Sequence, residues 1–374
     1  MEKIGVFYGG KSCEHEVSVI TALQAMAELE DDFEVVPVYT NKYGCFTGEL
    51  LKNPDSYKEF EPNLHVKVNF IDGKLVTKGF LGRQKVVSQI DCALVCYHGG
   101  IGEGGGASAM FEAQGIPYTC PSLTSSAICL DKEYFKIIAR EKGFKVVSGE
   151  CVKKGEFEKC KESIANRLFN KYSGNQVVKP VDLGSSIGVN VPQTQSELID
   201  ALNLVFAYTD RAIVEKRVCN MRELNCACFR LGESLVVSAI EEPKIGRAGI
   251  LSYRDKYLTK SDKSEERTLP ADIPTRLATK VRKTTQRLYD EFNLSGVVRV
   301  DYIYDEAGGQ LYVNEINTIP GSLSGYLYRE CGLNYVELVK ALLEEAKNKK
   351  SEKDEYLCTF DSELLSGKYF ISKG

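Results

Sequence analysis

The stretch Gly296–Gly321, GVVRVDYIYDEAGGQLYVNEINTIPG, constrains this chain more than any other. Two apolar runs, Val297–Tyr304 and Gln310–Ile316, flank Ala307-Gly308-Gly309. Glycine supplies the positive φ of a tight hairpin, and a three-residue loop ending in a left-handed glycine is a common solution. A loop centred on Gly308 sets Asp301 opposite Glu315 and Arg299 opposite Asn317. Side chains alternate faces along a strand, so all four fall on one face.

Unpaired buried charge is costly, so apolar strands that carry two carboxylates, an amide and a guanidinium on one face need a reason. A structural ion pair of Arg299 with Asp301 or Glu315 is one. A magnesium site is the other: Mg²⁺ takes oxygen ligands and commonly uses one or two carboxylates plus substrate phosphates. Asp301, Glu315 and Asn317 offer oxygens, and Arg299 can hold a developing anion beside them. Pro320-Gly321 follows at once and can present a backbone N–H to the same anion.

The chain has 374 residues, enough for two or three domains. Net charge is −4, which argues against nucleic acid as the main partner while leaving room for a local basic pocket. No apolar run is long enough for a membrane span. The start, MEKIGVFYGG, reads as a strand without an export signal, so a cytoplasmic protein is expected. Thirteen cysteines are scattered without a C-x-x-C pair, and there are only three histidines. Reduced, mostly buried thiols are expected, with no zinc site.

Strand Lys3–Tyr8, the turn Gly9-Gly10, a helix to about Leu29 and strand Phe33–Tyr39 open a doubly wound α/β unit. Val17, Ile20, Leu23 and Ala27 are expected on the helix's inner side. Glu14 stands at the ligand-binding edge, either as a dipole-favoured helix-start carboxylate or as a site residue. Residues 41–90 are less regular, with a small hairpin turning at Asp72-Gly73. Strand Asp91–Tyr97 places His98 at the same edge as Glu14, before the glycine-rich run 99–106. One helix is expected over Thr124–Lys142, then strand Phe144–Val147 and a helix near Glu156–Tyr172. Lys179-Pro180-Val181-Asp182-Leu183-Gly184-Ser185-Ser186-Ile187-Gly188 reads as a strand running into a small-residue loop, either an ordinary hairpin or a phosphate cradle with Lys179 at its entrance. It is not a Walker A loop. Residues 244–268 are long and polar enough to be a functional loop. Helix 271–292 leads into the opening hairpin, helix Tyr335–Lys349 follows it, and 350–374 read as an added tail.

Taken together, these motifs resemble the D-alanine–D-alanine ligases of the ATP-grasp superfamily over residues 3–345. The matching text is Gly9-Gly10-x-Ser12-x-Glu14-His15-Glu16-Val17-Ser18, Asp131-Lys132, Lys179-Pro180 with Gly184-Ser185-Ser186-x-Gly188, Glu215-Lys216, Lys256-Tyr257, Arg299-x-Asp301 and Glu315-x-Asn317-Thr318-x-Pro320-Gly321. The resemblance implies an α/β, three-domain ATP-grasp architecture. Its parts would be an N-terminal doubly wound parallel-sheet domain (1–120), a central lobe (121–218) and a C-terminal lobe with the metal site (219–374). It also implies ATP and two Mg²⁺ (or Mn²⁺), D-alanine as substrate, a dipeptide product for peptidoglycan, and a homodimer through the first domain.

By the same resemblance, Lys132 and Lys179 would hold ATP phosphates, Glu215, Lys216 and Val218 the adenine, and Glu223 the ribose. Asp301, Glu315 and Asn317 would bind the metals. Glu14 would hold the first substrate's ammonium, with Ser185 and Tyr257 beside it and His98 near. Arg299 and the Gly321 N–H would stabilise the acyl-phosphate and the tetrahedral intermediate, Lys256 would reach the γ-phosphate or a carboxylate, and loop 244–268 would be the lid.

Two places depart from the family pattern. Gly102-Glu103-Gly104-Gly105-Gly106 lacks the Asp, and later the Gln, usual after His-Gly. After Pro-Gly the run Ser322-Leu323-Ser324-Gly325-Tyr326 is shorter, and Tyr326 falls where a serine binding the second carboxylate is expected. Ser324 and Tyr326 are therefore the candidates for the acceptor subsite. A ligase using D-serine, D-lactate or another amino acid as acceptor stays open, as does a non-catalytic nucleotide-binding regulator.

Overall fold

The structure is a computed structural model that describes residues 1–79, 82–244 and 267–357. The described strands form three sheets. The first contains β1 (Lys3–Gly9), β2 (Glu34–Asn41), β3 (Gly44–Thr47), β4 (Val66–Ile71), β5 (Lys74–Lys78), β6 (Gln84–Gln89) and β7 (Cys92–Val95), in the order β6-β5-β4-β3-β2-β1-β7. β1 pairs parallel with both β2 and β7. A parallel central strand is covered on both faces, which is why Ile4, Val6, Phe7 and Tyr8 are all buried. The less regular segment 41–90 extends this sheet with antiparallel strands, and Asp72 (φ 49°) and Gly73 (φ 73°) supply the left-handed pair of its hairpin turn.

Helix His15–Leu29 connects β1 to β2, and its inner face is the expected one only in part: Val17 is buried and Leu23 packs against the core, but Ile20 and Ala27 are exposed, and Ser18, Thr21, Ala22, Ala25 and Leu29 are buried in their place. Hydroxyls won this face because they meet backbone: Ser18 Oγ accepts from Gly9 N–H at 2.8 Å and donates to Cys96 O at 2.7 Å.

The helix expected over Thr124–Lys142 is two, Leu123–Leu130 and Lys132–Glu141. Asp131 breaks it: its backbone is extended, and its carboxylate accepts from the N–H groups of Glu133 and Tyr134, both at 3.0 Å. The strand expected at Phe144–Val147 is a single bridge, Val146 to Val313, and the helix expected near Glu156–Tyr172 is a short turn of helix, Lys154–Phe157, followed by Lys161–Lys171. The second sheet is β8 (Gly149–Lys153), β9 (Gln176–Pro180) and β10 (Arg211–Lys216), ordered β8-β10-β9.

The third sheet is antiparallel: β11 (Met221–Leu231), β12 (Ser234–Pro243), β13 (Arg267–Thr268), β14 (Val298–Asp305) and β15 (Gln310–Asn317), ordered β13-β12-β11-β14-β15. Helix Thr275–Glu291 buries Val281, Leu288 and Tyr289 against it. The opening hairpin is β14–β15, with a turn one residue longer than expected: Asp305 pairs with Gln310, and Gly309 (φ 60°) ends the turn. An unpaired residue, Asn314, then bulges from β15 and restores the expected facing pairs, Asp301 with Glu315 and Arg299 with Asn317. The last helix among the described residues, Tyr335–Asp354, runs past the expected Lys349. It buries Leu338, Val339, Leu342 and Leu343 in the same core as the first sheet. Among the described residues, no helix is long and apolar enough to cross a membrane.

Candidate active site

The open face of the third sheet carries one continuous row. Glu241, Asn225, Asp301 and Glu315 are successive cross-strand partners over β12, β11, β14 and β15. Ala227, Arg299 and Asn317 form part of the neighbouring row. The bulge breaks the alternation of β15, so Asn314 and Glu315 both line the cavity beside it.

Arg299 donates to both oxygens of Asp301, Nε to Oδ1 at 2.7 Å and Nη2 to Oδ2 at 2.9 Å. Asn317 Nδ2 donates to Asp301 Oδ2 at 3.0 Å. Burial works against the Arg299 charge, but the Asp301 carboxylate outweighs it, with Tyr326 and Glu241 adding to the effect, and holds the guanidinium protonated well above its ordinary range.

A cleft opens between this face and the second sheet. Lys132, Lys179, Glu215, Lys216, Val218 and Glu223, all six residues expected around a nucleotide, line it together with Asn314 and Glu315. Lys132 Nζ donates to Leu183 O at 2.7 Å and lies 3.3 Å from Glu315 Oε2. Lys179 Nζ lies 2.7 Å from Glu215 Oε2 and donates to Asn314 Oδ1 at 3.2 Å. Lys136 was not expected here, yet its Nζ lies 2.6 Å from Glu215 Oε1. Its place one turn after Lys132 on the same helix was the available signal. Burial would raise the Glu215 carboxyl, but Lys136 and Lys179 reverse that and hold it at about 2. The same carboxylate lifts Lys179 above its ordinary value against burial, while burial prevails at Lys136 and lowers it.

The loop after β9 closes the cleft. Ser185 (φ 50°) and Ser186 (φ 58°) are left-handed. Ser185 Oγ donates to Glu14 Oε1, joining the edge of the first sheet to the second. Glu14 stands at the start of its helix but makes no capping bond with its side chain. It sits between two glycines: a Cβ at Gly99 would fall 2.4 Å from Glu14 Oε2, and one at Gly184 2.8 Å from it.

His98 ends its strand at the same edge and is buried. Burial, and then Arg299, lower it to about 3, so the imidazole is neutral. Its Nε2 shares a hydrogen bond of 2.9 Å with Thr21 Oγ1, which also accepts from Ser322 N–H at 3.1 Å. Glu103 accepts from Gly99 N–H at 2.8 Å and Ile319 N–H at 3.4 Å, tying the glycine-rich run to the segment before Gly321. Burial raises the Glu103 carboxyl to about 7, and Glu14 adds to the rise. Gly321 faces open space. Ser322, Leu323 and Ser324 follow it in the left-handed region. That turn sends Ser324 into the interior, fully buried, rather than onto the open face. Tyr326 does reach the face, but its hydroxyl donates to Glu241 at 2.9 Å. Lys256, Tyr257 and most of loop 244–268 lie outside the described residues.

Two family models match the chain: D-ala D-ala ligase N-terminus over residues 3–121 and D-ala D-ala ligase C-terminus over residues 138–344. The chain is 33% identical over 365 residues to the D-alanine–D-alanine ligase of Thermosipho melanesiensis, covering 94% of this chain and 96% of that protein. It is 30% identical over 359 residues to that of Caldicellulosiruptor bescii, covering 94% and 96%. Among solved structures, the D-alanine–D-alanine ligase from Coxiella burnetii superposes with a TM-score of 0.76 at 24% identity, covering 94% of this chain and 96% of that one. The VanG D-Ala:D-Ser ligase from Enterococcus faecalis superposes at 0.74 and 26% identity, covering 92% and 99%. Two matched models spanning both halves, and relatives aligned nearly end to end, settle the kinship: the chain belongs to the D-alanine–D-alanine ligase family and has its ATP-grasp fold.

Proposed function

We propose that this chain is an ATP-dependent ligase that joins two D-alanine molecules through an acyl-phosphate, releasing ADP and phosphate. One observation carries the reading: Glu315 lines the cleft together with all six residues expected around a nucleotide and faces Asp301 across the hairpin, so the cleft adjoins the acidic row beside Arg299.

The donor set fits magnesium. Among the described residues, no three His, Cys, Asp or Glu side chains gather into a metal cage. Asp301, Glu315 and Asn317 instead offer two carboxylates and an amide oxygen, the partial set that Mg²⁺ completes with phosphate oxygens. Two Mg²⁺ held there would neutralise charge on the transferring phosphoryl group. Lys132 and Lys179 would hold ATP phosphates, with Lys179 braced by Glu215. Lys216 and Val218 would flank the base, and Glu223 would take the ribose. Glu14, oriented by Ser185, would bind the ammonium of the first D-alanine, and neutral His98 would border it without adding charge.

A carboxylate oxygen of that D-alanine attacks the γ-phosphorus, and ADP leaves. The amine of the second D-alanine then attacks the carbonyl carbon, losing a proton, and phosphate departs as the amide forms. Arg299 and the Gly321 N–H would stabilise the oxyanion between these events. Lys256 and Tyr257 keep the roles that the family resemblance implies. ATP supply and a dipeptide destined for peptidoglycan place the reaction in the cytoplasm, and we infer a homodimer through the first sheet's unit.

The test is product analysis: purified protein, Mg²⁺, ATP and D-alanine should yield ADP, phosphate and the D-Ala-D-Ala dipeptide. ADP release indifferent to D-alanine would sink the reading. Tyr326 supports a second reading with another acceptor, because its phenol is engaged by Glu241 rather than turned outward. Mass spectrometry of products from a mixed D-amino-acid and D-hydroxy-acid pool separates the two.

A further inference from the structure

The acidic row of the third sheet does not end at Asp301. It continues through Asn225 to Glu241, where three side chains close on one another. Tyr326 Oη donates to Glu241 Oε2 at 2.9 Å, and Arg267 Nη1 donates to Glu241 Oε1 at 3.1 Å. The Arg267 guanidinium carbon lies 4.5 Å from the centre of the Tyr326 ring. Asn225 Nδ2 adds a fourth link, 3.1 Å from Glu241 Oε2.

Glu241 is only 4% exposed, a setting in which a carboxylate needs partners. Both its oxygens are engaged, and the phenol proton is directed at it. Arg267 retains solvent contact, its side chain 25% exposed against 6% for Glu241. The cluster borders the chemistry, since Arg299 interacts electrostatically with both Tyr326 and Glu241. A planar guanidinium, stacked on an aromatic face and braced by a carboxylate, is pre-organised to grip another carboxylate. The acceptor amino acid carries one, and the hydroxyl expected to hold it has been replaced by Tyr326.

Resting on the ligase reading, we propose that Arg267 binds the carboxylate of the acceptor, and that Glu241 and Tyr326 are positioning residues that hold it there. The carboxylate recognition expected of a small hydroxyl has moved to a guanidinium on the neighbouring strand. This makes the acceptor subsite ionic, so acceptors without a carboxylate gain nothing from it.

The test uses the full chain with Mg²⁺, ATP and D-alanine, read in two ways. Hydroxylamine attacks the acyl-phosphate and releases phosphate to give D-alanine hydroxamate, which reports donor activation with a nucleophile that has no carboxylate. Dipeptide formation at varied D-alanine reports the acceptor. Arg267→Gln is expected to raise the acceptor KM at least about tenfold, as loss of a charge-assisted bond does, with saturated turnover and hydroxamate formation nearly unchanged. Glu241→Gln should raise the same KM by a smaller factor and leave hydroxamate formation intact.

An unchanged acceptor KM in Arg267→Gln overturns the proposal. So does a parallel fall of both readouts with a lowered melting temperature, which marks the cluster as purely structural. Should Arg267→Gln not fold, Arg267→Lys decides in the same way, because it keeps the charge and loses the fork. Wild-type protein that forms no hydroxamate overturns the ligase reading itself, and this proposal with it.

Discussion

Arg299 and Asp301 show how one pair of residues serves two ends. The pair is bidentate and shielded, as a structural ion pair would be, yet it borders the cleft with Asn317 and Glu315 beside it. An arginine held in place before substrate arrives needs no reorganisation when an oxyanion forms. Arg299→Met should therefore lower turnover by about 10²–10³, as removal of one oxyanion donor does, while ATP affinity by calorimetry stays within a few-fold. Unchanged turnover would take Arg299 out of the mechanism. Glu103 gives a prediction of a different kind. Its carboxyl titrates at about 7 in the folded chain, above the ordinary carboxylate range, because burial and then Glu14 disfavour its charge. The folded state thus holds a proton that the unfolded chain has already lost. That contribution to stability is fully present below the ordinary glutamate range and is lost as pH rises through about 7. Glu103→Gln lacks the titration, so the stability of wild type relative to this variant should decline between pH 5 and pH 8 in thermal melts. A constant gap would show that Glu103 does not titrate in that window.

At the scale of elements, the hairpin was legible because its signals are local: two apolar runs, a glycine turn and a strict period of two. Its bulge was not, since nothing around Asn314 distinguishes it from a regular strand residue, and the longer turn hid the discrepancy by offsetting it. The break at Asp131 was written as an N-cap residue, but an apolar pattern continuing on both sides masked it. The pairing of the six nucleotide-cleft residues came through family motifs rather than periodicity, for they sit on several elements that only the fold unites. Tyr326 and Glu241 could not be joined from sequence at all, since contact across distant segments leaves no local trace. Gly296 shows what entry to the hairpin demands. Its φ is 67°, and a Cβ there would lie 2.3 Å from Thr119 O. Gly296→Ala combines a left-handed penalty with a clash against backbone, so it should destabilise by at least about 1–2 kcal/mol in denaturant titration. Loss of less than a few tenths would mean that the turn relaxes freely.

Across the whole molecule, the first sheet's unit is bound to the rest in two unlike ways. Helix Tyr335–Asp354 inserts apolar residues into its core, and Glu345 on that helix accepts from Gly296 N–H at 2.8 Å, which makes a permanent joint. The other links are polar, and besides Glu103–Ile319 and Thr21–Ser322 they include Ser185, which, on a loop whose left-handed residues carry strain, reaches Glu14 across the mouth of the cleft. Such a contact can be made and broken as substrate enters, whereas the apolar joint cannot. Ser185→Ala should therefore leave global stability nearly unchanged and act on the donor subsite. A hydrogen bond to a charged group contributes about 1.5–3 kcal/mol, which corresponds to a donor KM raised about 10- to 100-fold at saturating ATP. Hydrogen exchange should rise in Gly184–Gly188 and stay constant in the strands of the first sheet, because the loop loses the Ser185 hydrogen bond to Glu14 while the core keeps its packing. If the donor KM is unaltered and the loop's exchange does not change, the Ser185–Glu14 contact is incidental to substrate binding, and Glu14 must be oriented by the glycines around it instead.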